Sequence, residues 1–461
     1  MEDFALDTGN TAWILMASSL VLLMTPGLAF FYGGMVRGKS VLNMMMMSFG
    51  AIGVVGLVWV LWGYSGTFGS DIGGFIGNPV EYFGLAGLTD DASLMAGSGV
   101  PALVAVGFQA TFAIITVALI SGAIADRTRF GSWLVFVTIW VTVVYVPIAH
   151  MVWGGGLLGA DGITSGLSTP IDFAGGTVVH INAGIAGLVL ALVIGKRRGF
   201  GREPMRPHNL PFVMLGAALL WFGWFGFNAG SEFAADDVAG RAWLNTLVAT
   251  CAAMLAWLVT EKFRDGHATS LGAASGVVAG LVAITPAAAA VDTFGAIAVG
   301  AVAGVLCALA VGLKYKLGYD DSLDVVGVHL VGGLTGTVLI GLFATDANNA
   351  WYPDGAVNGL FYGGGPTQLV TQVVVAVVAM IFSAVVTYVI AMILKATIGL
   401  RVTDEVEVSG VDLAIHGETA YETLGAGARR TGVDMTGRGE TAYETGHDGL
   451  GDARVTTEAK R

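Results

Sequence analysis

The chain has 461 residues, of which 55% are hydrophobic and only 12% charged, and its mean hydropathy is +0.74. A soluble domain carries about a quarter charged residues, so this balance excludes a water-soluble globule and reads as an integral membrane protein. The formal net charge of −12 divides evenly, since residues 1–401 hold 22 acids and 16 bases (−6) and residues 402–461 hold 12 acids and 6 bases (−6).

The 69 glycines lie among Val, Leu, Ala and Phe, as they do where membrane helices approach closely. Cys251 and Cys307 sit in apolar stretches and are too few for a disulfide framework or a zinc site. A membrane-spanning helix needs roughly 20 mostly apolar residues. Such runs begin near Thr11, Asn43, Pro101, Phe130, Asp172, Asn209, Arg241, Thr269, Asp292, Asp324 and Thr367. The expected fold is therefore an all-α integral membrane protein with eleven transmembrane helices. The N-terminal MEDFALDTGN is acidic and lacks the basic region of a secretory leader, so the first run is expected to be a retained span.

Alternate connections carry Arg37 and Lys39, Arg127 and Arg129, Lys196 to Arg206, Lys262 and Arg264, Lys314 and Lys316, and Lys395 and Arg401. The intervening ones are acidic, with Arg241 as their only base. Basic loops stay in the cytoplasm, which places the N-terminus outside and the C-terminus inside, as an odd span number requires. Residues 1–401 then form the transmembrane domain and 402–461 a cytoplasmic acidic tail. The tail contains GETAYET at Gly417–Thr423 and again at Gly439–Thr445; its distal part is expected to be disordered.

The fifth span contains His180 followed by Gly184 and Gly187, and the tenth His329 followed by Gly333 and Gly336. Five spans separate the two, so the helices run in opposite directions, and spans one to five and six to ten read as two five-helix halves of an inverted repeat plus a last helix. Such repeats place their central site at mid-depth. Ionisable residues at that depth are costly and usually face a protein interior or an aqueous path. One buried histidine is commonly a packing residue; two at matching positions of inverted halves favour function. A facing imidazole pair can share a proton and present a polar edge to a small molecule, whereas zinc wants about four ligands, so no metal site is expected. Asp172 and Asp324 stand where helices begin and fit capping or dipole pairing; for Asp172 a functional role is equally open. Near the outer ends of spans lie Phe112, Trp153 and the segment Gly223–Ser231, either interfacial belt residues or an aromatic cation site.

The segment DFAGGTVVHINAGIAGL, Asp172 to Leu188, resembles the signature of the Amt/Rh ammonium transporter family, in its microbial Amt branch. It is joined in order by GLAFFYGGMV from Gly27, FQATFAIIT from Phe108, PIAHMVWGGGLL from Pro147, RPHNLP from Arg206, GWFGFNAGS from Gly223, DVVGVH from Asp324 and HGETAY from His416. The resemblance implies a homotrimer with one pore per subunit and eleven spans in the cell membrane. Carried over by motif, Phe112, Trp153 and Ser231 form an outer ammonium recruitment site, Phe112 and Phe227 a gate beneath it, and His180 and His329 the twin histidines of a hydrophobic pore. Asp172 corresponds to the family's required aspartate, with a structural or electrostatic role, and Phe31 approaches the cytoplasmic mouth. The tail around Gly399–Tyr421 resembles a segment that responds to PII signalling proteins.

The expected function is thus ammonium transport, in which ammonium deprotonates at the gate and crosses as ammonia, with net charge movement. The alternatives are an ammonium sensor signalling through the tail and an electroneutral ammonia gas channel. The expected partners are ammonium or ammonia, the lipid bilayer, further copies of the chain and a PII protein. No cofactor or nucleic acid is expected, and with no nucleophile set or phosphate loop in the sequence an enzyme is not expected either.

Overall fold

In the computed structural model, which describes residues 5–89, 95, 97–347 and 349–421, long apolar helices follow one another with short connections. They are α1 (Thr8–Met35), α2 (Val41–Phe68), α3 (Ala102–Ile124), α4 (Phe130–Trp153), α5 (Gly176–Ile194), α6 (Leu210–Gly230), α7 (Asp237–Asp265), α8 (Ser270–Ile284), α9 (Thr293–Leu317), α10 (Val326–Phe343) and α11 (Thr367–Thr397). Ten are long and apolar enough to cross a bilayer, while α8 is shorter. Each begins within four residues of its expected start, because polar caps mark the boundaries: the side chains of Asp7, Asn209, Asp236, Thr269 and Asp292 accept the first free N–H groups of α1, α6, α7, α8 and α9.

Among the described residues one pair of strands interrupts the helices. Between α2 and α3 the strands β1 (Asp71–Ile72) and β2 (Ile76–Gly77) pair antiparallel. Asp71 there reaches the buried His150 of α4, Oδ1 to Nε2 2.9 Å.

Glycines set the helix approaches that build the core. Along α1 and α6, a Cβ at Gly216 would stand 2.3 Å from the Phe31 nitrogen and one at Gly223 2.6 Å from the Leu20 carbonyl. The same device joins α5 to α10, and reciprocally. A Cβ at Gly184 would lie 2.5 Å from the Leu330 nitrogen, and one at Gly333 3.1 Å from the Ile181 nitrogen. In each case the glycine four residues past one histidine meets the residue that follows the other histidine.

The basic connections converge beneath these helices. Arg197 binds Asp320 through two nitrogens, at 3.0 and 2.8 Å, and Asp126 at 3.1 Å. Arg127, fully buried, donates to the carbonyls of Gly195 and Asp320. Past α11, the short helices α12 (Asp404–Ser409) and α13 (Val411–His416) lie in the same compact unit, which ends at Ala420. The second GETAYET and the distal tail fall outside the described residues.

Candidate functional site

A hollow of about 240 Å³ is lined by Phe112, Trp153 and Ser231, together with Tyr64, Gln109 and Phe233. It thus gathers side chains from α2, α3, α4 and the end of α6. Phe112 and Trp153 meet edge to face with ring centroids 6.1 Å apart, and the Trp153 indole N–H donates to the Asp172 carbonyl at 2.9 Å, which fixes the plane of the ring. The Ser231 hydroxyl donates to the Phe227 carbonyl at 2.9 Å, so its oxygen lone pairs are left to accept. This is the arrangement a small cation needs: aromatic faces for charge and a hydroxyl oxygen for a hydrogen bond. Ser231 also has acidic company, since burial, with Asp236 and Asp237, pushes the Glu232 carboxyl up to about 7.

Gln109 was not singled out in the sequence. Its Oε1 is buried without a hydrogen-bond partner and it lines the same hollow. The signal was present: it stands three residues before Phe112, on the same helix face, as a lone amide in an apolar run.

The floor of the hollow is closed. Phe112 and Phe227 stack with ring centroids 4.0 Å apart and planes 19° from parallel, which leaves no passage between them. Beneath, the His180 ring lies 6.3 Å from Phe227 and stacks on Trp224 at 5.4 Å. The Trp224 indole N–H is held by the Thr285 hydroxyl at 2.8 Å. The two imidazoles face one another, Nδ1 to Nδ1 3.3 Å, with rings 21° from parallel. One Nδ1 must therefore donate and the other accept. Their Nε2 atoms then carry opposite roles, one an acceptor and one a donor. His180 and His329 are at most 3% exposed, and their neighbours Val178, Val179, Val328 and Trp224 are buried.

Both histidines lie in a widened π-type turn, Gly176–Ile181 in α5 and Val326–Leu330 in α10, a distortion common at functional sites. Each turn is preceded by a capping carboxylate. Asp172 Oδ1 accepts from Gly175 N at 3.0 Å and Gly176 N at 2.5 Å, and Oδ2 from Thr177 N at 2.9 Å and Val178 N at 3.2 Å. In the second half the corresponding cap is Asp321, whose oxygens accept from Val325 N at 3.1 Å and Val326 N at 2.7 Å. Asp172 and Asp321 each stand eight residues before their histidine.

Asp324, matched in the sequence with Asp172 as a helix-start acid, therefore occupies the Gly175 position instead. Both have left-handed backbones, φ +111° at Gly175 and +64° at Asp324, and Asp324 pairs with Lys314 at 2.6 Å. Asp321 was missed because the spacing compared was from histidine to glycine, not back to the acid.

Among the described residues no group of three or more His, Cys, Asp or Glu side chains is placed to hold a metal ion. The Ammonium Transporter Family model matches residues 12–421. An ammonium transporter of Mycobacterium bovis is 58% identical over 433 residues, covering 90% of this chain and 91% of its own. One of Aquifex aeolicus is 51% identical over 421 residues, covering 90% and 94%. Among solved structures, Saccharomyces cerevisiae Mep2 superposes with a TM-score of 0.79 at 36% identity, covering 87% of this chain and 88% of that one. With ten apolar helices of spanning length and a family match over nearly its whole length, the chain is a multi-pass membrane protein and belongs to the ammonium transporter family.

Proposed function

We propose that the protein transports ammonium across the cell membrane by stripping it of a proton and conducting ammonia. The observation that carries this reading is the closed aromatic floor directly above two buried, facing histidines. Ammonium and potassium have nearly the same size and charge, so a pore passing whole ions cannot separate them by fit. Moving an ion into an apolar medium costs tens of kcal/mol by Born estimates, and a neutral polar molecule only about 2–7 kcal/mol. Ammonium has a neutral form to offer; potassium has none.

In this reading the cation gathers at Phe112, Trp153 and Ser231, with the Gln109 amide oxygen as a further acceptor. Thermal parting of Phe112 and Phe227 admits it, and ammonia then passes along the Nε2 edges of His180 and His329. Asp172 and Asp321 hold the two π-type turns in register and so aim the imidazoles. The proton crosses separately through the histidine pair, whose complementary tautomers suit a relay. Transport therefore moves net charge.

The topology that suits this path has eleven spans, with α8 completing its crossing through the buried segment Thr285–Val291, the N-terminus outside and the C-terminus inside. Three copies assemble, each with its own pore, and the tail near Gly399–Tyr421 meets a PII protein. Relatives named as transporters at 58% and 51% identity favour transport over sensing.

Purified protein in planar bilayers tests the reading. Ammonium should drive a current and potassium none; uptake of ammonium without current would overturn the charge-moving scheme. Changing His180 or His329 to Glu should raise potassium current at least about tenfold, a relief of little over 1 kcal/mol. Unchanged selectivity in both variants would remove the histidines from the filter.

A further inference from the structure

Helix α11 carries two glutamines one turn apart, Gln368 and Gln372, at the start of a long apolar run, and both are fully buried. No residue of α11 lines the hollow that holds Phe112, Trp153 and Ser231. The two amides instead grip the irregular segment that leads into α5. Gln372 closes a two-bond pair with the backbone of Ile171: its Oε1 accepts from Ile171 N at 2.8 Å, and its Nε2 donates to the Ile171 carbonyl at 2.7 Å. A side-chain amide here does what a neighbouring strand would do, satisfying both polar groups of a buried residue that belongs to no helix. Gln368 holds the chain just upstream, donating to the Thr169 carbonyl at 3.1 Å and accepting from the Ser168 hydroxyl at 2.5 Å. Its Nε2 also lies 3.3 Å from Gln372 Oε1, a bond that fixes which way the second amide faces.

Ile171 precedes Asp172, which has two separate tasks. Its carboxylate takes four N–H groups at the start of α5, so the turn bearing His180 is anchored by a side chain. Its carbonyl accepts the Trp153 indole N–H, so the ring on the wall of the hollow is oriented by the backbone. The direction of that carbonyl depends on the chain on either side of it. On the downstream side Phe173 N donates to the Pro286 carbonyl at 3.2 Å. On the upstream side the hold on Ile171 is the Gln372 amide, 201 positions away in the sequence.

We propose that Gln372 is a positioning residue of the recruitment site: its amide sets the Asp172 carbonyl, and through that carbonyl the plane of the Trp153 ring that receives the ammonium ion. Gln368 supports it by holding the Gln372 amide in place. The inference rests on the reading of Phe112, Trp153 and Ser231 as the site where ammonium gathers. An aromatic ring attracts a cation only over its face, so a Trp153 ring free to turn binds ammonium less well. Passage below the gate is unaffected, because the His180 turn hangs on the Asp172 carboxylate and not on the amide. Loss of Gln372 therefore weakens apparent affinity and spares the maximal rate.

Initial ammonium uptake by proteoliposomes of the full chain, measured over a range of concentrations, tests this whether or not charge moves. Gln372→Met keeps the length of the side chain and removes both bonds to Ile171. It should raise the half-saturating concentration about fivefold, the worth of one net hydrogen bond, and keep the maximal rate within about twofold. Trp153→Phe keeps an aromatic face and removes the indole N–H, so it should raise half-saturation by a similar factor. The double variant should match either single one, because both changes cut the same linkage. Factors that multiply, to about 25-fold in the double variant, would overturn the proposal, as would a Gln372→Met chain with a lowered maximal rate and unchanged half-saturation. Gln368→Met carries the same comparison if Gln372→Met does not reach the membrane, with an expected rise of about twofold that vanishes in the Trp153→Phe background; a rise that persists there would overturn the proposal. Trp153→Leu removes the ring altogether and separates the two failures. Unchanged half-saturation in that variant would overturn the recruitment reading itself, whereas a raised value beside an unaltered Gln372→Met chain would overturn the positioning role alone.

Discussion

Glu232, which follows Ser231 in the chain, has one carboxylate oxygen buried and unbonded. Burial first, and Asp236 and Asp237 after it, push its carboxyl from 4.5 up to about 7. Between those two values the folded protein keeps a proton that the unfolded chain has released. Its stability contribution is therefore present at low pH and lost as pH rises through that window. Replacing Glu232 by Gln, which keeps the shape without the charge, should make the protein relatively more heat-stable at pH 8 than at pH 5. Melting of the purified protein in detergent at the two values checks this, and an equal shift at both would show that the carboxyl is not the group that titrates. The histidine pair obeys a related constraint by geometry alone: two nitrogens 3.3 Å apart have room for one shared proton, and that fixes which ring edge donates and which accepts along the path.

At the scale of the helix, close approach decides more than polarity does. The facing of His180 and His329 exists because α5 and α10 cross at Gly184 and Gly333, where no side chain holds the backbones apart. Gly184→Ala would place a methyl 2.5 Å from the Leu330 nitrogen. Such overpacking costs about 1–3 kcal/mol, and the helices would separate at the level of the histidines. Gly56→Ala in α2, where nothing lies within 4 Å, should instead be neutral or gain about 0.5–1 kcal/mol from reduced backbone freedom in the unfolded chain. Thermal unfolding of both variants, read beside ammonium uptake, separates the two. Equal melting of both would mean that the α5–α10 contact tolerates a wider spacing than the native one. The capping carboxylates act at the same scale, since Asp172 and Asp321 each hold the start of a helix whose first turn is widened into a π-type ring.

At the scale of the molecule, the bilayer as solvent did most of the work that packing does in a soluble protein. Each apolar run had to become a helix to satisfy its own backbone, and the basic residues, 15 of the 16 up to Arg401 on alternate connections, set a direction. A C-terminal fusion should accordingly give a fluorescent reporter that matures inside the cell and an inactive alkaline phosphatase, and an active phosphatase would reverse the orientation. Hydropathy was sufficient for the ten apolar helices of spanning length found among the described residues, and ordered motifs for the family, because both are written in local composition. The pairing of Asp321 with Asp172, the buried Gln109 oxygen in the hollow, the short strand pair at Asp71 and the cap that Asp412 lends to α2 were beyond that reading. Apart from the strand pair, which is local, they depend on residues tens to hundreds of positions apart, as Asp71 meets His150 and Asp412 of α13 meets the Leu42 and Asn43 N–H groups, and only the close approach of whole helices decides which distant groups meet.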